Sequence, residues 1–223
     1  MKTIIMPLNI LKSYRERKIK EAWKLFHDGK REEAFRKIRL PLKSTNREVQ
    51  LEALQIAGMA MYKQKKFDQA INYFQKACKL GNARHDWFNL AMAYAKSKHV
   101  LEAEAAFNMI NGASTKHNYQ YAISQPQMLY QYFRVLRDSA FMREAFGRIN
   151  ELKAMYCALY KSEEDYLASR GMPGLSLMMR EALPVLQSLA VERDMVSWLE
   201  DFGKRIKAPG SQVLKEYVTL LDV

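Results

Sequence analysis

Cysteine is scarce in this chain: Cys78 and Cys157 are the two present in 223 residues. A disulfide-stapled scaffold is excluded, and two small buried hydrophobes in a reducing compartment account for both thiols. Neither CxxC nor HExxH spacing occurs, and the four histidines are scattered. No metal is therefore expected. A Gly-rich phosphate loop is also missing, so no nucleotide cofactor is expected. His27-Asp28 and His85-Asp86 are sequence neighbours, and adjacent residues on a helix do not face each other. The reading is that the chain is not an enzyme.

Nine glycines and six prolines are few, and they stand as isolated punctuation. Turn-rich all-β folds and low-complexity segments are thereby disfavoured, and helices are favoured. No apolar run is long enough to span a bilayer. The opening MKTIIMPLNILKSYRERK has only a short apolar run, broken by Pro7 and Asn9 and followed by a basic stretch rather than a small-residue cleavage site. The expectation is a soluble cytoplasmic protein.

What is present is ordinary globular material, 48% hydrophobic and 27% charged. Thirteen methionines are many, and Met is an adaptable filler of cores and of grooves that accept varied ligands. The formal net charge is +12, and residues 1–50 hold fourteen Lys/Arg against six Asp/Glu. That excess raises a nucleic-acid or acidic-partner reading. The cations mostly interleave with glutamates, as in YRERKIKEAW and GKREEAFRKIRL, which is the pattern of a solvated helix face.

The clearest passage, AMYKQKKFDQAINYFQKACKL from residue 60, spaces Ala70, Phe74 and Ala77 three and four residues apart. Residues 51–83 and 84–116 align without a gap. Leu54 then matches Trp87, Ala57 matches Leu90, Gly58 matches Ala91, Ala70 matches Ala103 and Phe74 matches Phe107, all 33 residues apart. Each unit reads as two antiparallel helices of about 12 to 15 residues joined by a short turn. Gly58 or Ala91 and Ala70 or Ala103 let two backbones approach, and Phe74 or Phe107 fills the space beside the crossing. One such hairpin cannot bury its apolar faces alone, but a stack can.

These positions resemble the tetratricopeptide repeat, whose signature runs W-x2-L-G-x2-Y, then A-x3-F-x2-A and a proline. Trp87, Leu90, Ala91, Tyr94, Ala103 and Phe107 fit it in one unit, and Gly58, Ala70, Phe74 and Ala77 in the other. Leu54 in place of tryptophan, Asn82 in place of proline and Ile110 in place of the last alanine depart from it. A weaker unit upstream holds Ala22, Gly29, Ala34 and Ile38 in equivalent positions, and one downstream holds Leu129, Leu136, Ala145 and Ile149. From Ala34 to Ala70 the spacing is 36 and from Ala103 to Ala145 it is 42, the excess falling in residues 111–126.

The resemblance implies an all-α fold, a right-handed superhelical array of antiparallel helix pairs (a TPR-like α-solenoid) with a helical C-terminal cap. Residues 1–14 extend the first helix, 15–150 form four hairpins (clearest at 51–83 and 84–110, with the insertion at 111–126), and 151–223 form degenerate repeats and a capping helix. Pro184 is expected to kink or interrupt a helix, and Ser211 to cap the last one.

In this family the first helices of successive units line a concave groove that binds partner segments. Carried over by repeat position, the groove receives Trp23 and Phe26 from the first unit, and Gln55, Met59, Tyr62 and Lys63 from the second. The third unit contributes Phe88, Met92 and Lys96, and the fourth Tyr130, Arg134 and Arg137. The resemblance thus implies a non-catalytic protein-binding module, adaptor or dedicated chaperone, taking an apolar segment or amphipathic helix with acidic residues near the cations. A nucleic-acid-associated repeat protein using the basic N-terminal half is the alternative. A clamp for a C-terminal carboxylate is disfavoured: its first two positions are held by Gln55 and Met59 and its two later basic ones by Gln127 and Gln131, although Asn89 fits one slot.

Overall fold

The computed structural model describes residues 8–113, 123–159, 171–189, 192–206 and 210–221. Residues 1–7, most of the 111–126 connection, the 160–170 stretch and the break expected at 208–209 lie outside them. Among the described residues there are eleven α-helices and no strand element. The chain divides into two compact units, Met1–Gln120 and Tyr121–Val223.

The first unit is three hairpins: α1 (Leu8–His27) with α2 (Arg31–Lys37), α3 (Arg47–Lys63) with α4 (Phe67–Gly81), and α5 (Arg84–Lys96) with α6 (Val100–Asn108). Short 3-10 turns follow the first and third, at Pro41–Lys43 and Met109–Gly112. Each helix packs on the next within its hairpin, while α3 also packs on α1, α2 and α5. The alanines explain how. Ala22, Ala34, Ala57, Ala70, Ala77, Ala91 and Ala103 are all wholly buried, so backbones meet with only a methyl between them. Gly58 is tighter still: a Cβ there would lie under 3.0 Å from three ring carbons of Phe74. Phe74, itself 1% exposed, occupies the volume that the glycine vacates.

Four hairpins share one turn. Residues 29, 65, 98 and 140 adopt positive φ, at 78°, 61°, 66° and 64°. The next residue then sends its N–H back to close the first helix: Lys30 to the Leu25 carbonyl (2.8 Å), and Lys66 to Met61, His99 to Tyr94 and Phe141 to Leu136 (each 3.0 Å). This is the six-to-one bond of a Schellman cap. The carbonyl of that same residue accepts the first bond of the second helix, from Ala34, Ala70, Ala103 or Ala145. No side chain caps α2, α4 or α6. The turn is therefore a main-chain device. Glycine adopts it freely at 29, whereas Lys65, Lys98 and Ala140 each hold a conformation that costs an L-residue about 1 kcal/mol.

Asn82 ends α4 in the same left-handed region (φ 53°), where the family pattern has proline. Its Oδ1 accepts from the Trp87 indole Nε1 at 2.7 Å, which fixes how the chain enters α5. At the previous joint Asn46 caps α3, accepting from the backbone N–H groups of Glu48 and Val49.

The second unit contains α7 (Gln125–Asp138), α8 (Met142–Leu159), α9 (Leu175–Leu189), α10 (Glu192–Arg205) and α11 (Gly210–Leu221). α7 pairs with α8, α9 packs on α8, and α10 pairs with α11. α9 continues through Pro184, so of the kink or interruption expected there the interruption does not occur. The proline and Arg180, whose carbonyl loses its donor, are both exposed, so water can take the place of the missing bond. α11 begins at Gly210, which puts Ser211 inside the first turn instead of at the cap.

Candidate functional site

On the first unit, the face formed by α1, α3 and α5 carries a run of half-exposed apolar side chains. Trp23 of α1 lies edge-on to Phe26 (centroids 6.1 Å apart) and stacks with His27 (5.9 Å). Met59 and Tyr62 of α3 and Met92 of α5 are likewise half-buried. The Tyr62 ring meets Phe67 at 5.5 Å, and burial pushes its phenol up to about 12. Lys63 is exposed and Lys96 half-exposed, each in the last turn of its helix.

Three of the expected site residues are buried: Gln55 is 3% exposed, Phe88 4% and Tyr130 8%. Each stands four residues before Met59, Met92 or Arg134 along its helix, and Ile19, four before Trp23, is 3% exposed too. The position is thus interior in all four hairpins. One helical turn decides between the wall of a groove and the seam between neighbouring helices. At Gln55 the reason is explicit. Its Nε2 donates to Oδ1 of Asp86 on α5 at 2.8 Å, and Asp86 is wholly buried, so the amide serves a buried carboxylate.

Glu52 belongs to this face and was missed. It accepts from the Trp23 indole at 3.2 Å. Burial lifts its carboxyl above the usual range; the Trp23 bond opposes that rise, and nearby Glu48 and Glu16 reinforce it. Glu52 stands two helical turns ahead of Met59, and that i, i+7 spacing was the signal that could have found it.

The fourth hairpin, in the second unit, treats its expected site residues differently. Tyr130 donates its hydroxyl to Glu181 Oε2 at 2.8 Å. Arg134 Nε lies 3.3 Å and Arg137 Nη1 3.5 Å from the same oxygen. Arg137 also donates to the Glu181 carbonyl at 3.3 Å. The acidic group expected from a partner is supplied here by α9 of the same chain. Burial and the Glu181 contact push the Tyr130 phenol up to about 12. A second clamp sits on α8. Lys153 Nζ is 2.6 Å from Asp201 Oδ2, donates to the Trp198 carbonyl at 3.1 Å, and lies 4.5 Å from the Trp198 ring centroid.

Cys78 and Cys157 are free and buried. Burial, with Asp86 beside it, drives the Cys78 thiol well above its ordinary range, which holds it protonated and a poor nucleophile. Among the described residues no group of three or more His, Cys, Asp or Glu is placed to hold a metal ion. No helix among them is long and apolar enough to cross a membrane.

Residues 51–82 match the family model for the tetratricopeptide repeat, a stretch that takes in α3 after its first turn, the turn at Lys65 and α4. No curated protein matches the chain. A repeat of this kind suggests a protein–protein interaction module, generally a non-catalytic one, with protein partners.

Proposed function

We propose that the chain is an adaptor or dedicated chaperone whose first unit binds an apolar segment or amphipathic helix of a partner protein. The observation that carries this reading is the row of half-exposed Trp23, Phe26, Met59, Tyr62 and Met92 on consecutive first helices of stacked hairpins. Aromatic and Met side chains give large contact area with tolerance of sequence variation.

Charge adds direction. α3 carries Glu48 in its first turn and Glu52 just after it, while Lys63 and Lys96 stand in the last turns of α3 and α5. A bound segment would set acidic residues at the lysine end. Two buried free thiols are in keeping with a reducing, cytoplasmic setting.

The test is affinity capture from native extract, nuclease-treated, with wild type and a Met59→Glu/Met92→Glu double variant of equal helicity by circular dichroism. A protein captured by wild type and lost with the double variant is the expected result. Equal capture by both, or capture that nuclease abolishes, would overturn the reading.

A further inference from the structure

The opposite side of α3 carries a second concavity. Gln50 and Leu54 stand nine and five residues before Met59, which turns them roughly 140–180° away from it around the helix axis. They form the floor of a cleft of about 580 Å³ whose walls are Leu42, from the 3-10 turn, and Tyr73 and Leu80, from α4. That volume falls within the range of small-ligand and anchor-residue pockets.

The cleft is held open by bonds to both of its walls. Gln50 Nε2 donates to the Leu42 carbonyl at 3.3 Å. Arg47 donates from Nε to the Leu80 carbonyl at 2.8 Å, and from Nη2 to the same oxygen. The Phe35 ring of α2 meets the Tyr73 ring edge-on at 6.1 Å. The shape exists before anything binds, so little ordering cost is left for an occupant.

Lys76 and Lys79 line the cleft, both exposed, and no carboxylate lines it with them. Among the described residues neither lysine has an ion-pair partner. Lys43, beside Leu42 in sequence, is exposed as well. A largely apolar lining, from Leu42, Leu54, Tyr73 and Leu80, with cations at its rim complements a large apolar side chain flanked by carboxylates. We infer that this cleft, between the 3-10 turn and α4, is a second docking site that takes an acidic peptide segment through one leucine- or phenylalanine-sized anchor. It is independent of the α1–α3–α5 face, so one chain can hold two protein segments on opposite sides of α3.

The experiment uses the full chain, ¹⁵N-labelled, with two synthetic probes: a twelve-residue peptide with a central Phe flanked by Glu, and its counterpart flanked by Lys. The Glu peptide is expected to shift the amides of Leu42, Tyr73, Lys76 and Leu80. Lys76→Glu/Lys79→Glu should weaken it about tenfold or more, while Met59→Glu/Met92→Glu should leave it unchanged. Equal binding of the Lys peptide, shifts centred on Met59 instead, or unaltered affinity in the lysine double variant would each overturn the inference. So would binding of sodium decanoate at the cleft without binding of the Glu peptide, since the site would then be one for an amphiphile. Loss of the α1–α3–α5 reading, by contrast, would leave every one of these readouts untouched.

Discussion

The first hairpins and the fourth use the same joint and fasten the next helix in different ways. In the first unit, helices meet mainly through alanine and glycine, Phe74 fills what Gly58 leaves open, and the carboxylate between α3 and α5, Asp86, is met by the neutral amide of Gln55. In the second unit, α9 is fastened to α7 by a carboxylate that two arginines and a tyrosine surround, and α10 to α8 by Lys153. Close packing is short-ranged and admits one geometry; a charge cluster tolerates small displacements but answers to pH. The difference teaches that a repeated joint does not enforce a repeated seam.

The largest effect should come from attacking the apolar seam. Gly58→Leu is expected to destabilise the first unit by about 3 kcal/mol or more through overpacking, measured by urea unfolding. Combination with Phe74→Ala should be less harmful than the sum of the two single changes, because each alone leaves a clash or a cavity. Strict additivity would mean the two residues do not share the space assigned to them.

Next comes the charged seam. Glu181→Ala leaves the half-buried Arg137 and the Tyr130 hydroxyl without their carboxylate, and about 2 kcal/mol should be lost. Glu181→Gln, which keeps an acceptor, should lose less. A cost for Glu181→Ala inside about 0.5 kcal/mol would reduce the cluster to a surface ion pair.

Titration separates the units by sign. Lys153 holds the Asp201 carboxyl below its ordinary value through their hydrogen bond, so that contact stabilises above the unfolded pKa and is lost as pH falls through the depressed one. Glu52 is the reverse. Its raised carboxyl means the folded state holds the proton more tightly, so stability falls as pH rises from the unfolded carboxylate value through the folded one. Hydrogen exchange followed unit by unit should show acid loosening around Lys153, removed by Lys153→Met. Glu52→Gln should instead stabilise the first unit at neutral pH, by less than about 1 kcal/mol, while keeping an acceptor for Trp23. An acid-induced loosening that survives Lys153→Met would assign it to other carboxylates.

The smallest effect tests what the units share. Ala140→Gly and Lys65→Gly should each stabilise by up to about 1 kcal/mol, since glycine relieves the left-handed strain, and Gly29→Ala should do the opposite. Equal responses in the two units would confirm one joint in both.

Much of this was legible in the chain. The 33-residue register located α3 to α6, and every alanine it marked as a crossing is buried. The periodicity of a helix also narrowed the candidate face, but sequence spacing alone does not say which of two adjacent stripes faces water. Ile19, Gln55, Phe88 and Tyr130 lie inside; α5 brings Asp86 against Gln55 and α9 brings Glu181 against Tyr130. The role of Glu181 was beyond reach for a different reason. It contacts Tyr130 from 51 residues away, across a stretch with no repeat signature, and nothing local distinguishes it from a solvated glutamate.

The joint itself has a consequence for how such a chain can change. Because its bonds run between backbone atoms, almost any side chain can be exchanged at the turn without losing the fold-back, and only the handedness at residues 29, 65, 98 and 140 must persist. Wording can erode while architecture stays: the repeat model matches residues 51–82, yet four hairpins turn alike. A chain of this construction is free to rewrite its surfaces hairpin by hairpin, acquiring new partners at one while the others keep the old ones.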